Sequence, residues 1–168
     1  MGWHFGDFHL SPSFNVLLPG TYHRDSYASP SQNYFTFMPA VGMSWLPKWG
    51  LEANLVLMYD FPTANTSPLV PIQNSYQSGQ AFHFDYCVDY AIKPYLRLGA
   101  AGYYYQQTTP DVADGDTIGN HGRVFGLGPA IQLNFSKNLS VQLVNQWEMA
   151  AMNLTEGYRV WCNVKYGF

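Results

Sequence analysis

Polar and apolar residues alternate along most of this chain, most clearly in the segment GQAFHFDYCVDYAI at residues 79–92. Every second residue from Phe82 onward is aromatic or aliphatic, and His83, Asp85 and Asp89 fall between them. Because side chains of a β-strand point alternately to its two faces, this period of two predicts a strand. The strand has one continuous apolar face and one face that carries a histidine and two carboxylates.

The same alternation recurs eight times, and no stretch has the period of a helix. The predicted strands cover residues 7–18, 33–45, 51–61, 81–92, 95–107, 123–135, 139–150 and 158–168. Each is about ten to thirteen residues long, roughly twice the usual five or six. A tilted strand needs about nine to eleven residues to cross a bilayer. Strand length therefore favours a transmembrane sheet.

The connections between the predicted strands differ in length in a regular way. The segments LPKWG, KPY and SKN are short, whereas most other connections are long and rich in Pro, Gly, Ser, Asn and Asp. Short periplasmic turns and long extracellular loops are typical of outer-membrane barrels. We therefore predict an all-β fold, with residues 1–168 forming a single antiparallel transmembrane β-barrel domain of about eight strands, or the C-terminal part of a larger barrel.

The two faces of the predicted strands carry different chemistry throughout the chain, and nearly every charge within a strand falls on the polar face. In a transmembrane barrel the apolar face contacts lipid and the polar face lines the lumen. The predicted lumen-lining residues are Glu52, Asp60, His83, Asp85, Asp89, Arg97, Tyr103, Tyr105, Gln146, Glu148, Arg159 and Lys165. A strip of small residues on the same face comprises Gly126, Gly128 and Ala130.

Composition supports a membrane setting and excludes other classes. Charged residues make up only 11% of the chain, against about 25% in soluble domains. No run of 18 apolar residues is present, which argues against a helical membrane span. The formal charge of -3 and the lack of a basic block argue against a nucleic-acid partner.

A soluble sandwich or ligand-binding β-barrel also alternates, and it is the main structural alternative. Aromatic residues near both ends of the apolar strands favour instead the two interfacial girdles of a membrane barrel. The chain also ends on an alternating strand, VWCNVKYGF, that finishes with an aromatic residue. Val164, Tyr166 and Phe168 resemble the signal recognised by the barrel-assembly machinery, which we expect as a partner together with outer-membrane lipid.

Four segments carry a resemblance to a known family. YQSGQAFHFDY, GAAGYYYQQTTPD, GNHGRVFGLGPAIQ and NLTEGYRVW, in this order and spacing, resemble the SphA-like proteins, also called the MetA-pathway phenol-degradation family. The resemblance implies a Gram-negative outer-membrane barrel that is associated with breakdown of phenols and acts as an uptake channel. Family members begin with a signal peptide and further strands, so the chain resembles only their C-terminal part and is expected to be N-terminally truncated.

Catalytic and metal sites are not supported by the motifs. There is no GxSxG or HExxH sequence, and residues two apart on a strand stand side by side instead of converging on a substrate. Cys87 and Cys162 lie on separate predicted strands and point to opposite faces, so neither a disulfide nor a zinc site is expected. We predict no catalytic residues, no metal and no cofactor.

The glycine strip leaves two interpretations open, since pairing would place Tyr103 and Tyr105 close to it. The tyrosines could line a groove for an aromatic solute, or their rings could fill a narrow barrel by packing over glycine. The sequence thus predicts an outer-membrane channel for uptake of hydrophobic and aromatic compounds. The alternatives are a non-conducting structural or surface barrel and a soluble ligand-binding β-barrel.

Overall fold

The computed structural model of the chain describes residues 2–23, 33–68 and 73–168, which form twelve β-strands and no α-helix. None of these residues belongs to a helix that could cross a membrane. The strands are β1 Trp3–Phe5, β2 Phe8–Leu17, β3 Thr36–Trp45, β4 Leu51–Pro62, β5 Tyr76–Gln77, β6 Ala81–Lys93, β7 Leu96–Gln107, β8 Asp111–Ala113, β9 Asp116–Ile118, β10 Arg123–Asn134, β11 Leu139–Met152 and β12 Tyr158–Tyr166.

Nine of the strands form one antiparallel sheet in the order β1-β2-β3-β4-β6-β7-β10-β11-β12. Neighbours in this sheet are also neighbours along the chain once the three short strands β5, β8 and β9 are set aside. Those three form a separate small sheet from the two longest described connections, between β4 and β6 and between β7 and β10. The architecture is therefore a meander with a small sheet at its loop end.

The predicted number of eight strands is wrong, because the described residues form twelve. Each predicted range overlaps one of the eight longer strands, and the missed strands β1, β5, β8 and β9 have only two or three residues. Segments this short cannot show a period of two. In the described residues the sheet also does not close into a barrel, since β1 and β12 stand at opposite ends of the strand order.

The two faces of the sheet are buried in the opposite sense to those of a soluble protein. The apolar face is open, with Tyr90, Leu98, Ile131, Leu143 and Trp147 all more than 40% exposed. The buried residues of the large sheet other than glycine and proline belong to the polar face, as the pairing register shows: Ala40, Ala81, Asp89, Ala101, Tyr103, Gln107, Val124, Ala130, Val144 and Gln146. A sandwich or soluble barrel that buries its apolar face is not what these residues form.

The polar face is concave, because residues from distant strands enclose the same space. Asp85 on β6 and Trp161 on β12 line one cavity although β7, β10 and β11 lie between them. Small residues permit this curl. At Gly128 a Cβ atom would lie 1.6 Å from the carbonyl oxygen of Asn145, so the β11 backbone approaches closer than any side chain would allow.

Candidate functional site

The register places every predicted lumen-lining residue on the polar face, but the residues form separate groups. The sheet has two ends that differ in their connections. The turn end carries the short connections at residues 46–50, 94–95 and 135–138. The loop end carries the long connections and the small sheet. The middle of the polar face lies between them.

The turn end contains a three-residue ion cluster centred on Arg97. Its Nη2 lies 3.3 Å from Glu52 Oε2, and its Nε donates a hydrogen bond to Asp89 Oδ1. Arg97 Nη2 also donates to the carbonyl oxygen of Gly50 at 3.3 Å. Asp89 is only 6% exposed, so this arginine compensates a carboxylate that water barely reaches. The contact between Arg97 and Asp89 is diagonal, since Arg97 pairs in register with Ala91.

A second ion cluster occupies the middle of the polar face. Arg159 Nη2 and Nε lie 3.0 and 3.1 Å from Glu148 Oε1, and the Tyr103 hydroxyl donates to the same oxygen. The guanidinium carbon of Arg159 stands 4.2 Å above the centre of the Tyr103 ring. Arg159 is therefore held by a charge partner and by a cation–π contact.

Tyr103 and Tyr105 lie differently with respect to the glycine strip. Its ring lies over Gly126, where a Cβ atom would meet ring carbon Cε1 at 2.4 Å. Tyr105 instead faces the His83 ring, with 6.2 Å between centroids. At Gly126 the small residue therefore accommodates a packed ring.

At the loop end of the strands, Asp60 and His83 form a pair on β4 and β6. His83 Nε2 lies 3.2 Å from Asp60 Oδ1. Their side chains are about one-quarter exposed, at 26% and 22%. The two contacting atoms themselves are buried, and their geometry does not make a hydrogen bond.

Two cavities open on the polar face and share part of their walls. The first, about 450 Å³, is lined by residues including His83, Asp85, Tyr105 and Arg159. The second, about 380 Å³, lies nearer the turn end and is lined by residues including Asp85, Gln146, Arg159 and Trp161. Asp85, Tyr103 and Arg159 line both. These three residues form the centre of the candidate site.

The remaining predicted residues lie outside this centre. Lys165 is exposed on β12 and lines a third cavity, about 640 Å³, at the turn end. Val164 and Tyr166 are 65% exposed on the apolar side of the same strand, and Phe168 lies beyond its end. The sheet therefore does not bring these C-terminal residues into the polar site.

One buried carboxylate at the loop end was missed by the sequence analysis. Asp111 is 1% exposed, and it accepts hydrogen bonds from Tyr76 Oη at 2.6 Å, Gly79 N at 2.7 Å, Gln107 Nε2 at 2.7 Å and Asn120 Nδ2 at 3.1 Å. Burial opposes its ionisation, but these donors together hold the pKa of Asp111 below its ordinary value. Asp111 thus joins both long connections to β7. The alternation of polar and apolar residues does not predict this role of Asp111.

The site shows no arrangement typical of a metal centre or a disulfide. Among the residues that the structure describes, no three His, Cys, Asp or Glu side chains are grouped to hold a metal ion. Cys87 and Cys162 are both free. Their partners in the register, Ala101 and Leu143, place them on opposite faces, as the alternation predicts.

Comparison with solved structures gives a match across the whole sheet. The crystal structure of the COG4313 outer membrane channel from Pseudomonas putida F1 is similar, with a TM-score of 0.81 at 12% sequence identity. The match covers 98% of this chain but only 61% of that channel. At this identity the match shows a shared fold.

Comparison by sequence gives a family. No curated protein matches the chain significantly. A family model described as "Putative MetA-pathway of phenol degradation" matches residues 1–164, nearly the whole sequence. The chain therefore belongs to the MetA-pathway phenol-degradation family that its motifs resemble.

Proposed function

We propose that this chain forms the wall of an outer-membrane β-barrel channel through which small hydrophobic and aromatic compounds enter the cell. The observation that carries the proposal is the burial of the two faces. The buried side chains of the large sheet lie on its polar face, and many large residues of the apolar face are exposed. Such a surface is stable in a lipid environment and costly in water.

The dimensions of the sheet and the two comparisons support the same function. Seven of the eight longer strands have ten or more residues, enough to cross a hydrocarbon core at a tilt. The family carries phenol degradation in its description, and the similar structure is named as an outer membrane channel. From these two descriptions we infer that this chain takes part in solute uptake.

A closed wall requires partners for the edges of the sheet. Backbone groups left unpaired at β1 and β12 would be costly in hydrocarbon. The proposal therefore needs these edges to pair with each other or with further strands. We further propose that Val164, Tyr166 and Phe168 are recognised by the barrel-assembly machinery and that nucleic acid is not a partner.

Tryptophan fluorescence tests the membrane part of the proposal. Trp147 lies on the apolar face, and Trp161 pairs with Val144 on the polar face. In single-tryptophan proteins reconstituted into vesicles, lipids with brominated acyl chains should quench Trp147 strongly and Trp161 weakly, while aqueous acrylamide should do the reverse. Equal quenching of both, in a protein that is soluble without detergent, would instead favour the soluble β-barrel.

A matched pair of substitutions on β4 tests the same assignment through stability. Leu57 faces outward and Val56 pairs with Asp85 on the polar face. Leu57→Arg should lower the unfolding free energy in lipid by about 2 to 4 kcal/mol. Val56→Arg should cost less, because its guanidinium can reach Asp85. Urea titrations of both proteins in vesicles measure the difference, and a reversed order would contradict the face assignment.

Solute entry requires its own experiment, because a structural barrel would pass both tests above. Host cells that contain a phenol-oxidising enzyme should consume phenol at micromolar concentrations faster when this protein is present in their outer membrane. An unchanged rate, with the protein correctly inserted, would favour the non-conducting barrel.

A further inference from the structure

Asp85 differs from the other carboxylates on the long strands. Glu52 and Asp89 contact Arg97, Asp60 contacts His83, and Glu148 contacts Arg159. Within residues 2–23, 33–68 and 73–168, Asp85 makes no ion pair and no side-chain hydrogen bond. Its side chain is exposed and lines both cavities.

His83 and Arg159 attract the Asp85 carboxylate electrostatically, but neither forms an ion pair with it. Its partners in the register are Val56, which is apolar, and Tyr103, whose hydroxyl donates to Glu148. Arg159 lies on the same cavity walls, but both of its contacting nitrogens face Glu148. Asp85, Glu148 and Arg159 together carry one net negative charge, because a single guanidinium serves two carboxylates and contacts only Glu148.

The groups around this charge define the chemistry of a ligand. A cation would offset the charge of Asp85, whereas a neutral hydroxyl would donate a hydrogen bond and leave the charge in place. Rings line both cavities, namely Tyr105 in the first and Trp161 in the second. Such rings attract cations and contact flat apolar groups. Each cavity has room for a molecule with a single ring.

We propose that the middle of the polar face is a solute subsite in which Asp85 binds the ammonium group of a small aromatic amine. Tyr105 and Trp161 contact the ring of the amine. This proposal rests on the proposed function, because it requires the polar face to be a water-accessible interior. It adds a preference for cationic over neutral aromatic solutes, which the family description does not contain.

Binding of two molecules of nearly equal size tests the subsite. The protein keeps Trp161 as its reporter, with Trp3, Trp45, Trp49 and Trp147 replaced by Phe. In vesicles at neutral pH, benzylammonium should change the Trp161 emission with an affinity about tenfold higher than that of benzyl alcohol, as expected for one hydrogen bond to a charged group. Equilibrium dialysis of labelled benzylamine measures the same affinity without relying on fluorescence.

Two matched substitutions assign the effect to Asp85. Asp85→Asn should reduce the benzylammonium affinity about tenfold, to that of benzyl alcohol. Asp116→Asn removes the same charge from the exposed strand β9 and should leave both affinities unchanged. A heat-dependent shift in gel mobility would verify that each variant is folded.

The outcomes separate this proposal from the proposed function. Equal affinity for the two molecules, no saturable binding of either, or an unchanged affinity in Asp85→Asn would overturn the subsite. If Trp161 remained shielded from brominated lipid in those cases, the channel proposal would stand. Quenching of Trp161 by brominated lipid would overturn the proposed function itself.

Discussion

The two ends of the polar face hold a buried carboxylate in different ways. At the turn end, Asp89 is neutralised by the guanidinium of Arg97, and both residues come from regular strands. At the loop end, Asp111 accepts hydrogen bonds from four neutral donors, and no cation of the described residues contacts it. Pairing of regular strands places Arg97 beside Asp89, whereas the neutral donors of Asp111 come mainly from connecting segments. Substitutions at the two ends should therefore differ in the unfolding free energy that they cost and in the region that they disturb. The two ends should also respond differently to pH.

Removing the cation at the turn end should have the largest effect. Arg97→Ala leaves two carboxylates without their partner, one of them almost fully buried, and should cost about 3 to 5 kcal/mol of unfolding free energy. Urea titration in vesicles measures this loss. Lys165→Ala, which removes an exposed cation from the same face, should change the free energy by less than about 0.5 kcal/mol.

A double-mutant cycle shows whether the cost comes from the pair. Asp89→Ala together with Arg97→Ala should cost clearly less than the sum of the single substitutions, because the second change removes the group that the first left uncompensated. Additive costs would mean that bulk water solvates both side chains. The turn end would then be no more confined than the loop end.

Asp111→Asn should have a smaller effect that is confined to the loop end. The asparagine side chain replaces one acceptor oxygen with an amide group that faces existing donors, and a loss of about 1 to 3 kcal/mol is expected. Hydrogen exchange should accelerate in β5, β8 and β9 and remain unchanged in β6 and β7. Asp116→Asn in β9 is the control, and faster exchange along the long strands would contradict a local role.

The smallest predicted effect is the pH dependence of the loop end. The pKa of Asp111 lies below its ordinary 3.8, so its contribution to stability is full above that value and is lost as the pH falls through the folded pKa. Burial, and then the hydrogen bond to Asp111, raise the pKa of Tyr76 above 10.0, so its contribution is full below 10.0 and is lost as the pH rises further.

Hydrogen exchange across this pH range separates the two groups. After correction for the intrinsic exchange rate, protection of β8 should be constant between the two ordinary values and should decrease on either side. Tyr76→Phe should remove the alkaline decrease and keep the acidic one. Loss of both the acidic and the alkaline decrease in this variant would mean that the stabilising effect of Asp111 depends on the tyrosine hydroxyl alone.

The parts of the fold that sequence could predict are those that repeat. A period of two over ten residues identifies a strand, and a three-residue connection after Ile92 brings Asp89 and Arg97 together without further information. Asp111 has no such signal, because its donors Tyr76, Gly79, Gln107 and Asn120 become neighbours only when two long connections fold over β7. The clearest local feature is Gly79, where a Cβ atom would lie 1.9 Å from the carbonyl oxygen of Thr109, and this constraint is a property of the folded backbone.

The candidate site likewise has a part that the sequence pattern predicts and a part that it does not. Alternation assigned all twelve polar residues to one face, but it could not show that Tyr103 leans over Gly126 or that Arg159 turns toward Glu148. Both depend on the curl of the sheet, which brings β6 and β12 around a common space. Asp85 forms no ion pair with Arg159, because the guanidinium of Arg159 contacts Glu148 instead.

The free edge at β12 has a consequence for handling the protein outside a membrane. Every residue of this strand is exposed, and the apolar Val160 and Val164 stand beside unpaired backbone donors and acceptors. In water such an edge is a template for a strand of another copy, and aggregation can follow. Arg159 and Lys165, spaced along the other face of the strand, place like charges against any identical strand that pairs in parallel register. Refolding should therefore yield soluble protein only where detergent or lipid reaches this edge before a second copy does.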